Sequence, residues 1–294
     1  MDKKTFAVIG GDKRNIYLFK QLEIEGHNVR KFGFDGYDLE NVDESECLYD
    51  AMTGADYIIG PIPCSNNNAS LNAVYGTSHI FIDDVFRLIK PEQIFFSGLI
   101  KANVSAIAKK YDVNCVDILK WEELALLNAI PTAEGALKIA IENTDFTLHG
   151  SNVMIVGYGR IGKVLCKMLS GIGANVYPVV KERHEAALAR GYGYSPVLFG
   201  DMNASLADMN IIFNTVPQII FDKKNIKFID SDCLFVDVSS APHGINNNFA
   251  KKAGINVLFA GSLPGAVAPK TAANYILETI YDYINKTEGG GGNV

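Results

Sequence analysis

The sequence predicts an α/β protein with two doubly wound parallel sheets, one in each half of the chain, and an inter-domain cleft. Three observations support this prediction. The chain has 294 residues, which is long enough for two domains. Short apolar runs alternate with helical patterns in both halves, as in strand–helix–strand units. A glycine-rich turn at 157–162 joins an apolar run to a helical pattern in mid-chain.

The first half, 1–128, is predicted to form a flavodoxin-like substrate domain. Its first strand runs into Gly10-Gly11-Asp12, and apolar residues at helical spacing follow. Four further strands are predicted at 28–34, 56–62, 93–97 and 114–118. Apolar residues at helical spacing predict a helix at 271–286, which could complete this domain by analogy with related architectures, and residues 287–294 are expected to form a disordered tail.

A helix is predicted to begin after Pro131, since proline favours an extended residue before it. Thr132 could then accept hydrogen bonds from the first free amides of that helix, which runs to about residue 143.

The second half, 129–270, is predicted to be a Rossmann NAD(P)-binding domain. Gly157 permits a tight turn, Gly159 lets the backbone approach a diphosphate, and Gly162 lets the following helix pack closely on the sheet. Strands are predicted at 153–156, 174–180, 211–214, 234–238 and 257–259. The expected cofactor-binding residues are Gly157, Gly159, Arg160, Ile161, Gly162, Lys181, Arg183, Thr215, Val216, Pro217 and Ser239.

The residue at the end of the second strand of this domain discriminates between the two nicotinamide cofactors. An acid there would bind the ribose diol of NAD(H), whereas a cation would attract the 2′-phosphate of NADP(H). Lys181 occupies this place and Arg183 lies nearby, so NADP(H) is favoured. A shift of one residue would give the role to Glu182, and NAD(H) therefore stays an alternative.

Bulk composition excludes several classes of protein. A formal net charge of −6 argues against a nucleic-acid partner. The five cysteines are scattered and lack a C-x-x-C pair, so neither a disulfide framework nor a metal site is predicted. The apolar runs are interpreted as too short to span a membrane, and a cytoplasmic location is expected.

Six segments, in order over nearly the whole chain, resemble the dipicolinate synthase A-subunit family of spore-forming bacteria. They are Phe6 to Asp12, Asn128 to Gly135, Asp145 to Ser151, Gly157 to Gly162, Asn214 to Pro217 and Gly261 to Thr271. The runs Ile-Pro-Thr-x-Glu-Gly and Leu-Pro-Gly-x-Val-Ala-Pro-Lys-Thr are specific to that family. The cofactor half is more distantly similar to D-2-hydroxyacid dehydrogenases and adenosylhomocysteinase.

The resemblance implies a reaction, a partner and a setting. Dihydrodipicolinate, or its hydrated precursor, would become aromatic dipicolinate while NADP⁺ accepts a hydride. The flavoprotein-like B-subunit of dipicolinate synthase would be the partner, in the mother-cell cytoplasm during sporulation. In that family the strand at 236–239 continues with a basic residue and then Pro-Gly-Gly. Here Ala241 and His243 stand in that stretch, and His243 is the available substitute.

A dicarboxylate substrate needs cations or polar groups around it. The expected substrate-binding residues are Lys270, Ser65, Asn66, Ser97, Gly98 and Thr132. Glu134 and His243 are the candidate bases for the proton that is released. Glu134 has a structural alternative, because an acid in the first turn of a helix suits the helix dipole.

Two other functions stay open at this point. The chain could be a D-2-hydroxyacid-dehydrogenase-like enzyme for another small acid, although the Arg/Glu/His set of that class is not visible at matching places. It could also be a non-catalytic nucleotide-binding subunit whose partner performs the chemistry. The oligomeric state is open as well, with a homo-oligomer as one alternative.

Overall fold

The computed structural model describes residues 2–37 and 42–288, which form two compact units. Unit 1 comprises the described residues up to 125 together with 268–288, and unit 2 comprises residues 126–267. Each unit contains one wholly parallel sheet with helices between its strands. The predicted class, two doubly wound parallel sheets, is confirmed.

The sheet of unit 1 has the strand order β2-β1-β3-β4-β5, which is the order of flavodoxin-like sheets. Its strands are β1 (Thr5–Ile9), β2 (Asn28–Phe32), β3 (Tyr57–Ile59), β4 (Ile94–Ser97) and β5 (Asn114–Asp117). Its helices are α1 (Lys13–Ile24), α2 (Leu48–Met52), α3 (Ile82–Leu88), α4 (Ala102–Lys110) and α10 (Pro269–Glu288).

Alternation along β1 builds the two core layers of this unit. Phe6 and Val8 are buried on the face covered by α1 and α10. Ala7 and Ile9 are buried on the opposite face, against residues of α2, α3 and α4. Each large apolar side chain removed from water contributes about 1.5 to 3 kcal/mol. A sheet buried on both faces therefore requires the continuous apolar runs seen in the sequence.

The last helix belongs to unit 1. In α10 the residues Ile276, Ile280 and Ile284 recur every four positions and are buried against α1 and the sheet. The helix continues to Glu288, so the first two residues of the predicted tail are helical. The rest of that tail, 289–294, lies outside the described residues.

The sheet of unit 2 has the order β11-β10-β9-β6-β7-β8, which reverses direction at β6 as dinucleotide-binding sheets do. Its strands are β6 (Asn152–Val156), β7 (Asn175–Val180), β8 (Val197–Leu198), β9 (Ile211–Asn214), β10 (Leu234–Asp237) and β11 (Asn256–Phe259). Its helices are α6 (Arg160–Ile172), α7 (Arg183–Gly191), α8 (Asn247–Ala253) and α9 (Leu263–Val267). The two-residue strand β8 was not predicted.

The predicted helix start at Pro131 is wrong. One helix, α5, is continuous over Glu122–Glu142 with Pro131 inside it. Proline removes one backbone donor, but a stripe of buried residues (Ala129, Ala133, Ala136, Leu137, Ala140) holds the helix through that position. The hydroxyl of Thr132 donates to the carbonyl of Asn128, 2.7 Å away, so it does not cap a helix start.

The same helix corrects the interpretation of apolar length. By length and composition alone, α5 could cross a membrane, and among the described residues it is the one helix that could. Its buried residues Ala133, Ala136, Leu137 and Ala140 lie in the core of unit 2 with residues of β6 and β9. Burial of this kind is typical of a core helix.

Candidate dinucleotide site

The glycine turn of unit 2 places three glycines in three different environments. Gly157 has φ +100°, and a Cβ there would lie 2.5 Å from Thr215 Oγ1 and 2.8 Å from Val216 Cγ2. At Gly162 a Cβ would overlap the carbonyl oxygen of Gly157. At Gly159 a Cβ would meet no atom within 4 Å. The first and third glycines are therefore required by the fold, whereas the open space at Gly159 is free for a ligand.

The N-terminus of α6 faces this open space. Gly159 is the N-cap of α6, and having no side chain it cannot itself accept a hydrogen bond from the first amides of the helix. Such amides, at the positive end of the helix dipole, bind phosphate groups. The residues present thus fit the diphosphate of a dinucleotide.

A cavity of about 500 Å³ extends from the glycine turn to the end of β7. Its lining includes Tyr158, Val180, Lys181, Phe199 and Ile219. The lining combines apolar side chains with three charged residues at the end of β7, namely Lys181, Glu182 and Glu185. That combination suits an adenosine whose ribose lies beside the end of β7.

The acids at the end of β7 are engaged in a capping box. The side chain of Glu182 accepts from the backbone of Glu185, and Glu185 Oε2 accepts from the backbone amides of Glu182 and Lys181, each at 3.1 Å. Lys181 and Arg183 are exposed. Within the described residues, the Lys181 ammonium has no ion-pair partner.

On the other side of β6, the ends of β9 and β10 are joined by hydrogen bonds. Asn214 is fully buried and its amide donates to the carbonyl of Val216, to Asp237 Oδ1 and toward Ser239 Oγ. Thr215 Oγ1 donates to the carbonyl of Val156 at 3.0 Å. Of the predicted cofactor residues at these two strand ends, Thr215 is therefore held against the strand that precedes the glycine turn, and Ser239 is joined to the end of β9.

Asp237 lies at the centre of this network, and sequence reasoning missed it. Its carboxylate accepts from the Ser239 amide (3.0 Å), the Ser239 hydroxyl (2.6 Å) and the Gly244 amide (2.7 Å). The imidazole of His243 lies alongside, with Nδ1 3.7 Å from Asp237 Oδ1. An acid that ends a buried strand was a detectable signal, because a buried carboxylate must have a local role.

The polar residues predicted in unit 1 are largely used by their own loops. Ser65 Oγ donates to the carbonyl of Ser70 at 2.6 Å, and Ser97 Oγ donates to the carbonyl of Pro61 at 2.5 Å. Asn66 is exposed and bonds the side chain of Asn72. At Gly98 a Cβ would lie 2.9 Å from Ile62 and Leu119. Their role in substrate binding stays a prediction.

The remaining predicted residues have simple surroundings. Lys270 is exposed in the first turn of α10. Glu134 is exposed in the interior of α5, not in a first turn, so the dipole argument for an acid there is wrong.

Arg14 is a buried cation that sequence reasoning missed. Its side chain lies at the start of α1 and is 7% exposed as a residue. The guanidinium pairs with Asp12, 2.7 Å away, and also donates to the carbonyl of Ile62. This pair joins the turn after β1 to the segment after β3.

Thiol and metal chemistry receive no support from the described residues. Burial raises the pKa of the Cys64 thiol to about 11, which leaves it protonated at neutral pH. The part of the chain that the structure describes holds no cluster of three potential metal ligands.

Comparison with known proteins identifies both units. A family model described as the N-terminal domain of the dipicolinate synthase A-subunit matches residues 5–119. A second model, D-isomer specific 2-hydroxyacid dehydrogenase, NAD binding domain, matches residues 133–246.

Similarity extends over nearly the whole chain. The dipicolinate synthase A-subunit of Bacillus subtilis (strain 168) is 30% identical over 279 residues, which cover 93% of each chain. The crystal structure of the dipicolinate synthase A-subunit from Bacillus subtilis matches with a TM-score of 0.88 at 27% identity and covers 99% of both chains. The A-subunit from Bacillus halodurans matches with a TM-score of 0.86 at 26% identity, covering 96% of this chain and 97% of that one.

Proposed function

The chain belongs to the dipicolinate synthase A-subunit family and is an NAD(P)-dependent oxidoreductase. We therefore propose that it oxidises dihydrodipicolinate, or its hydrated precursor, to dipicolinate with NADP⁺. The observation that carries the proposal is the glycine turn of unit 2, within a chain similar to that family from end to end. When bound, NADP⁺ supplies the hydride acceptor, so that dihydrodipicolinate and NADP⁺ give dipicolinate, NADPH and one proton.

Selection of NADP⁺ is supported by the way the acids near β7 are used. Glu182 and Glu185 form the capping box of α7, so the carboxylate of Glu182 is already directed towards the helix backbone. Lys181 keeps its ammonium exposed beside the cavity. A cation there attracts a 2′-phosphate, and the exposed guanidinium of Arg183 adds positive charge.

The order of strands supports a proposal for where the two ends of the dinucleotide bind. The sheet reverses at β6, with β7 on one side and β9 and β10 on the other. The adenosine side belongs to β7 and Lys181, so the residues that would hold the nicotinamide are those after β9 and β10. These are Thr215, Val216, Pro217 and Ser239, and His243 follows in the same loop as Ser239.

Substrate recognition requires positive charge for two carboxylates. Lys270 is the residue we propose for this role, because an exposed cation in the first turn of a helix opposes the helix dipole and suggests an anionic ligand. Ser65, Asn66, Ser97, Gly98 and Thr132 are kept as candidate contacts, and His243 is preferred to Glu134 as proton acceptor. The preference rests on the buried polar network that surrounds the histidine loop.

Membership of the family supports a proposal for the partner and the cellular setting. We propose that the chain acts with the flavoprotein-like B-subunit in the mother-cell cytoplasm during sporulation. A homo-oligomer remains an alternative arrangement of this chain.

The test is a hydride assay on the full chain with freshly generated dihydrodipicolinate. NADPH and dipicolinate are followed together by absorbance, with NADP⁺ or NAD⁺ and with or without the B-subunit. Product in equal amounts with NADPH from the chain alone supports the proposal. A chain that binds NADP⁺ but gives no turnover even with the B-subunit contradicts it. Turnover of a small 2-hydroxy acid instead would favour the dehydrogenase that the second family model suggests.

A further inference from the structure

The last residue of β10, Asp237, is a buried carboxylate that has no lysine or arginine partner among the described residues. Asp237 is 0% exposed, yet its carboxylate is surrounded only by neutral donors: the side chain of Asn214, the amide and hydroxyl of Ser239, and the amide of Gly244. Burial of a charge is costly, and neutral hydrogen bonds compensate it only in part. A positive charge that formed next to Asp237 would therefore be stabilised.

The imidazole of His243 is the group beside this carboxylate that can acquire such a charge. Its Nδ1 atom is buried, has no hydrogen-bond partner among the described residues, and lies 3.7 Å from Asp237 Oδ1. At this distance the two atoms are not hydrogen-bonded, and a hydrogen bond would require the ring to turn towards the carboxylate. Ionised Asp237 can only accept, so the proton of neutral His243 would lie on Nδ1. Nε2 would then carry the free lone pair.

The backbone conformation at His243 and Gly244 fixes the position of the imidazole. His243 has φ +66°, a left-handed conformation that non-glycine residues rarely adopt. Gly244 follows, and a Cβ there would overlap the side chain of Asn214. The loop therefore passes close to Asn214 at the end of β9. Its Gly244 amide donates to Asp237 at the end of β10.

The other side of the ring borders an open cavity. The side chain of His243 is 34% exposed, and its ring packs on Phe259 with centroids 4.8 Å apart. A cavity of about 410 Å³ adjoins it, and the remaining lining is apolar or amide: Ile219, Pro242, Ile245, Asn246, Asn247, Asn248 and Phe259. Among the described residues, Asp237 is thus the one titratable group that faces the imidazole.

We infer that Asp237 is a positioning residue that holds His243 as a neutral Nδ1–H tautomer, with Nε2 as acceptor for the proton released in the oxidation. This inference rests on the proposed function. One ring C–H bond of dihydrodipicolinate breaks, and its hydrogen leaves as hydride, for which NADP⁺ would be the acceptor. The proton goes from the neighbouring ring atom to Nε2, and the electron pair it leaves behind closes the aromatic ring. The imidazolium then lies against the Asp237 carboxylate.

The first test measures the tautomer and does not depend on turnover. In ¹⁵N NMR of the full chain, we expect His243 to show a protonated Nδ1 and an unprotonated Nε2. We expect the Asp237→Asn variant to lose this preference. A wild-type His243 that carries its proton on Nε2 would overturn the inference, whether or not the chain is active.

The second test is a double-mutant cycle on kcat. His243→Asn tolerates the left-handed backbone and should lower kcat by about 10²- to 10⁴-fold. Asp237→Asn should lower kcat by about 10- to 100-fold, and the double variant should be no slower than His243→Asn. Affinity for NADPH should stay unchanged in all three. His79→Asn, an exposed histidine of unit 1, is the matched control and should keep full activity.

The outcomes separate the inference from the proposed function. If the losses of kcat in the two single variants multiply in the double variant, Asp237 and His243 act independently. That result, or a loss of NADPH affinity in Asp237→Asn, would give Asp237 a structural role and overturn the inferred pairing of Asp237 with His243. Full activity of His243→Asn would overturn this pairing but leave the proposed oxidation intact. A wild-type chain without turnover would contradict the proposed function, while the tautomer measurement would still decide the arrangement of Asp237 and His243.

Discussion

The three glycines of the turn at 157–162 should respond differently to one added methyl group. At Gly162 the new Cβ would overlap the carbonyl oxygen of Gly157 and lie 3.0 Å from its carbonyl carbon. Backbone must move to relieve this contact. Overpacking of this kind costs about 1 to 3 kcal/mol, and we expect Gly162→Ala to lose roughly that amount of unfolding free energy.

At Gly159 the added methyl group meets nothing within 4 Å, and the backbone is extended at φ −87° and ψ −155°. The fold should lose only about 0.5 kcal/mol, the preference of an N-cap for glycine over alanine. The methyl group would instead occupy space next to the amides of α6. If a diphosphate must enter that space, the same 1 to 3 kcal/mol appears as a weakening of NADPH binding by about 5- to 150-fold.

Gly171 provides the matched control. It lies in α6, and a Cβ there also meets nothing within 4 Å. Gly171→Ala should stabilise the chain by about 0.5 to 1 kcal/mol and leave NADPH binding unchanged. Urea unfolding gives the stability of each variant, and NADPH fluorescence titration gives the affinity. Wild-type affinity in Gly159→Ala would refute the assignment of this turn as the diphosphate site.

Three further predictions concern charged groups. Lys181→Ala should weaken NADPH binding by about 10- to 150-fold, the value of one hydrogen bond to a charged group, and leave NADH binding unchanged in parallel titrations. Arg14→Leu should cost about 3 kcal/mol in urea unfolding, because it leaves Asp12 partly buried without its cation. Hydrogen bonding from Lys4 lowers the pKa of Glu288 below its ordinary value of 4.5. Ionised Glu288 therefore contributes to stability above pH 4.5, and this contribution is lost as the pH falls below that value. The free energy of unfolding should depend less steeply on pH in the acid range for Glu288→Gln.

Elements with a strong local pattern could be predicted from the sequence. The apolar run at 211–214 forms a strand with the predicted bounds, and the run at 153–156 forms a strand that begins one residue earlier. Both strands are buried on two faces, which requires an uninterrupted apolar run. The start of α5 could not be predicted, since Pro131 is locally a helix breaker and only the buried stripe from Ala129 to Ala140 overrides it. That stripe acquires its effect from tertiary packing.

The candidate site divides in the same way. The spacing of the glycines located the turn, because each position has its own backbone requirement. Asp237 and His243 could not be paired from sequence, since their approach depends on the left-handed residue and the tight loop that follow β10. Arg14 was missed for a related reason. Its burial depends on the carbonyl of Ile62, which lies far away along the chain.

The most direct test of the whole account is a crystal structure of the full chain with NADPH and dipicolinate. We predict the diphosphate on the first amides of α6, the 2′-phosphate beside Lys181, and the nicotinamide next to the residues that follow β9 and β10. A nucleotide bound away from the glycine turn, or bound with its adenosine on the β9 side, would contradict the account.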